Sequence, residues 1–303
     1  MGTVRIGTRG SELALWQAHH IADRLRAAHA GLEVELVVIR TTGDRIVDRP
    51  LAEVGGKGLF VKEIEEALLD GRVDLAVHSL KDVPGELPDG LVLSTYAGRA
   101  NPFDALCARA PLRSVDDLPQ GARVGTGSSR RGLQLKRLRP DIELVAIRGN
   151  VPTRLARRGA DGDLDAVVLA AAGLRRLGLW SDDFIELAPP DVVPAASQGT
   201  LALEIRAADD ATAALVAPLD DAAARLEATT ERACLDALGG DCHTPFAAFA
   251  RLDGGQMTLH GRVFNEAGAH FDERAVVAAP TPDACAAAGR AVGAALRSWI
   301  ERA

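Results

Sequence analysis

The 303-residue chain is short of lysine, of paired cysteines and of long apolar runs, and each shortage excludes something. No apolar stretch approaches the ~20 residues of a membrane span, so no crossing of a bilayer is expected. The start, Met1-Gly-Thr-Val-Arg5, lacks the apolar core of a signal peptide, and the expected home is the cytoplasm. The four cysteines, Cys107, Cys234, Cys242 and Cys285, form no CxxC pair, which excludes a zinc ribbon and a thioredoxin motif. No metal site is expected, and in a reducing compartment these are free thiols. Positive charge is in deficit too: 35 Lys and Arg against 42 Asp and Glu give −7. That argues against general affinity for nucleic acid but leaves room for a local basic patch.

What is present is ample apolar content, 47%, enough at this length for two or three domains. The stretch Asp74-Leu-Ala-Val-His-Ser-Leu-Lys-Asp-Val-Pro84 organises the rest. Leu75 to Val77 reads as a buried strand, and Pro84 forces the chain out of the sheet. Lys81 and Asp82 therefore fall at the C-terminal end of a parallel strand, where open α/β sheets bind ligands. Position alone does not separate a ligand-facing aspartate from a helix cap.

The same grammar occurs twice. Arg5-Ile-Gly-Thr8 is echoed by Arg123-Val-Gly-Thr126, and Glu35-Leu-Val-Val-Ile-Arg40 by Glu143-Leu-Val-Ala-Ile-Arg148. Asp70-Gly-Arg-Val-Asp-Leu-Ala-Val77 is echoed by Asp161-Gly-Asp-Leu-Asp-Ala-Val-Val168. Three matches in one order imply two similar α/β domains whose strand-end loops share a cleft. The expected division is 1–97 with 198–216, then 102–192, then a small α+β domain over 219–303. Crossings are expected at 95–102 and 189–199, and a strand at Thr200–Arg206.

Two kinds of residue suggest chemistry. Arg9, Arg130, Arg131, Arg148, Arg154 and Arg175 fall at predicted strand ends or helix starts. Each alone reads as solvated surface, whereas together they suit several carboxylates. Gly125-Thr-Gly-Ser-Ser129 before a helix is an anion site that phosphate would fit as well, though not with Walker spacing. Lysine occurs only at 57, 62, 81 and 136, and two of these flank the loop Gly55–Gly58. Cys242 follows two glycines and precedes His243, which puts a thiol on a loop. Such a thiol packs as a small hydrophobe or acts as a nucleophile.

Several stretches resemble the porphobilinogen deaminase (hydroxymethylbilane synthase) family over nearly the whole chain. They are Ile6-Gly-Thr-Arg-Gly-Ser-Glu-Leu-Ala-Leu-Trp-Gln17, Gly55-Gly-Lys-Gly-Leu-Phe-Val-Lys-Glu63 and Ala76-Val-His-Ser-Leu-Lys-Asp-Val-Pro84. Val124-Gly-Thr-Gly-Ser-Ser-Arg-Arg131, Ile147-Arg-Gly-Asn-Val-Pro-Thr-Arg-Leu155 and Ala171-Ala-Gly-Leu-Arg-Arg-Leu-Gly178 complete the set. The resemblance implies two α/β domains like type II periplasmic binding proteins, with a cleft between them, plus the C-terminal α+β domain. It implies a transferase that joins four porphobilinogen units head to tail, with loss of ammonia, into the linear tetrapyrrole hydroxymethylbilane. It further implies one dipyrromethane cofactor per chain, held by thioether on Cys242.

By the same resemblance Asp82 is the catalytic aspartate. Lys81, Asp82, Thr126, Ser128, Arg130, Arg131 and Arg148 bind the cofactor. Arg9, Ser11, Arg148, Arg154, Arg175 and Gln198 bind substrate, and Lys57 and Lys62 belong to a flexible loop. The implied partners are porphobilinogen and the growing polypyrrole, with no nucleic acid or membrane, and the implied state is a monomer. The chain departs from the family pattern at Ser129 and Gly132, expected to loosen a helix start. It departs again at Ser197, where glycine is usual, and at Asp241, an acid beside Cys242 that disfavours its thiolate. A different class, a two-lobed solute-binding protein for a carboxylate ligand, explains the repeat and the arginines but not Cys242.

Overall fold

The computed structural model describes residues 2–45, 61–158, 162–239 and 244–302. Its contacts form two compact units, Met1–Ala100 with Thr200–Arg225, and Asn101–Gly199 with Leu226–Ala303.

The first unit begins with β1 (Thr3–Thr8), α1 (Glu12–Ala28), β2 (Glu33–Val38) and the short α2 (Thr42–Arg45). After α3 (Lys62–Leu69) come β3 (Leu75–Ser79), a 3-10 turn Leu80–Asp82 and β4 (Leu91–Arg99). Helix α1 starts where Ser11 accepts the Ala14 N–H, and it buries Gln17, Ala18, Ile21, Ala22 and Leu25 along one stripe. The returning strand β10 (Thr200–Arg206) completes a sheet of order β2-β1-β3-β10-β4. β1 runs parallel to β2 and β3, and β10 antiparallel to β3 and β4. Helix α7 (Asp210–Val216) follows. Helices cover both faces of this sheet. Ala18, Ile21 and Leu25 of α1 pack with Leu75, Val77, Leu201 and Leu203, while Ile64, Ala67 and Leu68 of α3 pack with Ala76.

The second unit repeats the plan with β5 (Asp104–Ala108), β6 (Arg123–Gly125), α4 (Ser129–Leu138), β7 (Glu143–Val145) and α5 (Val151–Ala156). Then come β8 (Ala166–Ala170), α6 (Ala171–Arg176) and β9 (Ile185–Leu187). The sheet order is β7-β6-β8-β5-β9, with β6 parallel to its two neighbours and β5 antiparallel to β8 and β9. The three repeated sequence stretches thus form β1 and β6, β2 and β7, and β3 and β8, at equivalent places in twin sheets.

From Leu226 on, the C-terminal α+β part belongs to this second unit. It comprises α8 (Ala222–Leu238), the meander β11 (Phe246–Asp253), β12 (Gln256–Phe264) and β13 (His270–Val277), and α9 (Pro282–Ile300). It has its own apolar core around Cys234, Leu259, Val263, Val292 and Leu296. Two similar α/β sheets and a small α+β part are the expected fold class. The division between the two units after Ala100 falls within the expected crossing at 95–102, whose first part, as far as Arg99, is the end of β4. No helix among the described residues is long and apolar enough to cross a membrane.

Candidate functional site

In the first unit, β3 ends at Ser79 and the chain turns sharply. Leu80 is fully buried, Val83 nearly so, and the Val83 N–H returns to the Leu80 carbonyl at 3.1 Å. With these two apolar residues pinned inward, Lys81 and Asp82 between them are exposed. The Asp82 side chain joins Arg9, Ser11, Gln17, His78 and Ser79 around a pocket of about 70 Å³. Arg9 and Ser11 arrive from the β1–α1 junction. The Thr8 hydroxyl fastens that junction to the Ala14 carbonyl at 3.1 Å. Across the pocket, Gln17 Nε2 donates to Ser79 Oγ at 2.8 Å, tying α1 to the end of β3. The carboxylate of Asp82 thus stands open beside a guanidinium and a hydroxyl.

Deeper, His78 Nε2 lies 2.9 Å from Glu204 Oε2, both side chains being buried. The other Glu204 oxygen has no partner. Burial, reinforced by the Glu204 charge, pushes the nearby Glu65 carboxyl up to about 7.

The second unit gathers arginines. Ser128 caps α4 through the Arg131 N–H, and its own N–H donates to Thr126 Oγ1 at 3.1 Å, so the two hydroxyl residues shape the helix start. At Gly132, in the first turn of α4, a Cβ would sit 2.9 Å from Leu144 Cδ1, the movable end of a side chain.

Arg130 and Arg131 are both buried, and both reach Asp104 at 2.8 Å, while Arg130 Nη1 also donates to the Val193 carbonyl. Burial by itself would raise the Asp104 carboxyl, but the charges of Arg130 and Arg131 outweigh it and hold the group well below the usual carboxylate range. Gln198 is buried with this cluster and donates to Asp104 at 2.9 Å and to the Pro102 carbonyl at 2.7 Å. One carboxylate against two guanidiniums leaves a buried excess of positive charge.

Three further arginines differ in readiness. Arg148 Nη1 is buried without a hydrogen-bond partner. Arg154 Nε donates to the Gly149 carbonyl at 2.7 Å. Arg175 lies over the Trp180 ring, 3.8 Å from its centroid, and pairs with Glu186 at 2.8 Å. Lys62 is the exposed first residue of α3. Lys57, Asp241 and Cys242 lie outside the described residues.

Ser197 takes φ 62°, the left-handed region that glycine favours. It is held there by Glu231, whose Oε2 accepts the Ser197 N–H and whose Oε1 accepts the Ala250 N–H at 2.6 Å.

Sequence reasoning missed Asp104 and the set His78, Glu204 and Glu65. The available signal was a carboxylate inside an otherwise apolar strand, in Asp104-Ala-Leu-Cys-Ala108 and in Leu201-Ala-Leu-Glu-Ile205. Among the described residues no group of His, Cys, Asp and Glu is arranged to hold a metal ion.

Residues 4–214 match the family model described as porphobilinogen deaminase, dipyromethane cofactor binding domain, and residues 225–298 match that of the porphobilinogen deaminase C-terminal domain. The porphobilinogen deaminase of Roseiflexus castenholzii is 53% identical over 262 residues, covering 86% of each chain. That of Stenotrophomonas maltophilia is 52% identical over 276 residues, covering 91% of this chain and 89% of the relative. Among solved structures, the periplasmic VFT2 domain of Bordetella pertussis BvgS aligns with a TM-score of 0.42 at 16% identity, over 72% of this chain and 86% of that one.

Proposed function

The chain belongs to the porphobilinogen deaminase family, and from that premise we propose how its own residues carry the reaction. The family condenses porphobilinogen with loss of ammonia and carries a dipyrromethane cofactor. The proposal assigns Asp82 as the catalytic carboxylate, Cys242 as the anchor and the clustered arginines as the hold on the ligands' acids. In this reading the chain works as three parts, 1–97 with 198–216, 102–192 and 219–303. It acts as a cytoplasmic monomer without nucleic acid.

The cofactor, when bound, supplies the free pyrrole carbon on which new units are added. The donor set suits such a group, which bears a carboxylate on every side arm. Arg148 keeps a buried guanidinium nitrogen unpartnered, and that nitrogen is strongly favoured by an incoming anion. Thr126, Ser128, Arg130, Arg131 and Arg148 would hold the cofactor's acids, with Lys81 and Asp82 from the first unit. Arg9, Ser11, Arg148, Arg154, Arg175 and Gln198 would serve porphobilinogen.

As the aminomethyl nitrogen departs, positive charge spreads over the substrate's pyrrole ring. The Asp82 carboxylate, aimed at the ring N–H, stabilises that charge more in the transition state than before it. Leu80 and Val83, both buried, fix from inside the turn that carries Asp82. Lys57 and Lys62 are assigned to a flexible loop.

The observation that carries this reading is Asp82, exposed on a rigid turn beside Arg9 and Ser11. The test is incubation of the purified protein with porphobilinogen while ammonia and bilane are both measured. The expected result is four ammonia released per hydroxymethylbilane, slowed about 100- to 1,000-fold in Asp82→Asn with the fold retained. Binding of porphobilinogen without any ammonia release would favour a non-catalytic binding protein instead.

A further inference from the structure

Behind Asp82, on the face of the first sheet that α3 covers, three ionisable groups are buried together, and the mechanism above gives none of them a task. His78 is 5% exposed and lines the pocket with Arg9, Ser11 and Asp82. Glu204 is fully buried, with Oε2 on His78 at 2.9 Å and Oε1 without a partner. Glu65 of α3 is 7% exposed and titrates near 7 for the reasons given above. A buried carboxylate oxygen left orphaned beside a second buried acid is costly unless a proton is held among them.

The second sheet is an internal control. The repeated stretches set Ala76 against Val167 and His78 against Leu169. In the first sheet Glu204 stands opposite Ala76 and Ala202 opposite His78. In the second, Cys107 stands opposite Val167 and Ala105 opposite Leu169. At the same two registers, then, one sheet buries His78 and Glu204 while its twin buries Leu169 and Cys107. The architecture is complete with an apolar pair there, and apolar replacement of buried charges is often neutral or stabilising. The twin sheet thus forms without a charged pair at these registers.

The chemistry does have a use for it. Each condensation breaks the substrate's C–N bond, the electron pair leaving on nitrogen, and forms a C–C bond to a ring carbon. That carbon then sheds its hydrogen as a proton, and the departing nitrogen gains one to leave as ammonia. One proton is taken and one is given per cycle, and no oxidant or other co-reactant is needed.

We propose that His78, Glu204 and Glu65 form a proton relay behind Asp82. His78 exchanges the proton at the pocket wall, Glu204 orients its imidazole, and Glu65 stores the proton between the two transfers. This rests on the deaminase reading. The charged and titratable groups facing His78 are Glu204 from β10, Glu65 from α3, and Arg9 and Asp82 at the pocket, with Glu66 a more distant like charge on Glu65.

The experiment compares wild type, Glu65→Gln and His78→Asn, each shown by intact mass to carry its cofactor. Between about pH 5.5 and 9, wild-type kcat is expected to follow an ionisation near 7 that is absent from Glu65→Gln. His78→Asn is expected to lower kcat about 100-fold with KM changed by less than about 3-fold. The NMR resonances of the His78 imidazole, readable with or without cofactor, should sense the same ionisation in wild type and lose it in Glu65→Gln. A retained ionisation in Glu65→Gln, with His78→Asn turning over at the wild-type rate, overturns the relay while leaving the deaminase reading intact. Failure of the wild type to make bilane overturns both. Should His78→Asn not fold, the Glu65→Gln profile and the NMR titration decide.

Discussion

Asp74 in the first sheet and Asp165 in the second do the same work. Each accepts a backbone N–H from the neighbouring strand, Arg5 or Arg123, at 2.8 Å, and each returns its own N–H to that residue's carbonyl. Ser11 and Ser128 likewise cap equivalent helices. Away from these braces the two sheets part company. The first places Asp82, His78, Glu204 and Glu65 at the end and flank of β3, whereas the second surrounds Asp104 with Arg130, Arg131 and Gln198. On the assignments proposed above, one copy carries the proton-handling and cation-stabilising acids and the other the anion-holding arginines. The shared residues belong to the fold, and the differing ones are where those assignments place function.

The comparison can be broken most forcefully in the second sheet. Asp104→Asn leaves two buried guanidiniums without their carboxylate and should cost about 3–5 kcal/mol in denaturant unfolding. In the first sheet, Asp82→Asn should leave stability within about 0.5 kcal/mol, since the residue is exposed, but lower turnover about 100- to 1,000-fold in an ammonia-release assay.

Importing the second sheet's pair into the first, as His78→Leu with Glu204→Cys, sharpens the contrast further. The variant should melt at or above the wild-type temperature yet lose about 100-fold in kcat. A large loss of Tm would show that the pair serves the fold after all.

The repeat was legible because it is written in contiguous stretches. Gly-Thr at a strand end, the Asp70-Gly71 helix stop and a serine cap are local signals, and each formed the element it announced. Asp82 was legible for a similar reason, since Pro84 marks where the strand must stop. The His78–Glu204 pair was not, because 126 residues separate its members and only the antiparallel return of β10 sets their register. Asp104 was missed for want of any local hint that Arg130 and Arg131 would converge on it. That the tract before the division at Ala100 is strand was not legible, since β10 pairs with it through an irregular register.

A smaller effect is expected at Ser197, which adopts φ 62° with its hydroxyl buried and without a partner. Ser197→Gly should raise unfolding free energy by about 1 kcal/mol, because glycine adopts that conformation without a Cβ penalty.

The two sheets should also answer pH with opposite signs. Glu65, raised by burial, contributes stability that is present below its unfolded pKa and is lost as pH rises through about 7. Asp104, lowered by its arginines, contributes stability that is present above its unfolded pKa and is lost as pH falls below it. Melting temperatures should therefore fall less between about pH 4.5 and 7 in Glu65→Gln than in wild type, and Asp104→Asn should be less sensitive to acid.

The most direct measurement of the central claim is the intact mass of the purified protein beside its Cys242→Ala variant. The account predicts an added mass of two linked pyrroles on the wild type and none on the variant. A wild type that stays unmodified after incubation with porphobilinogen would contradict it.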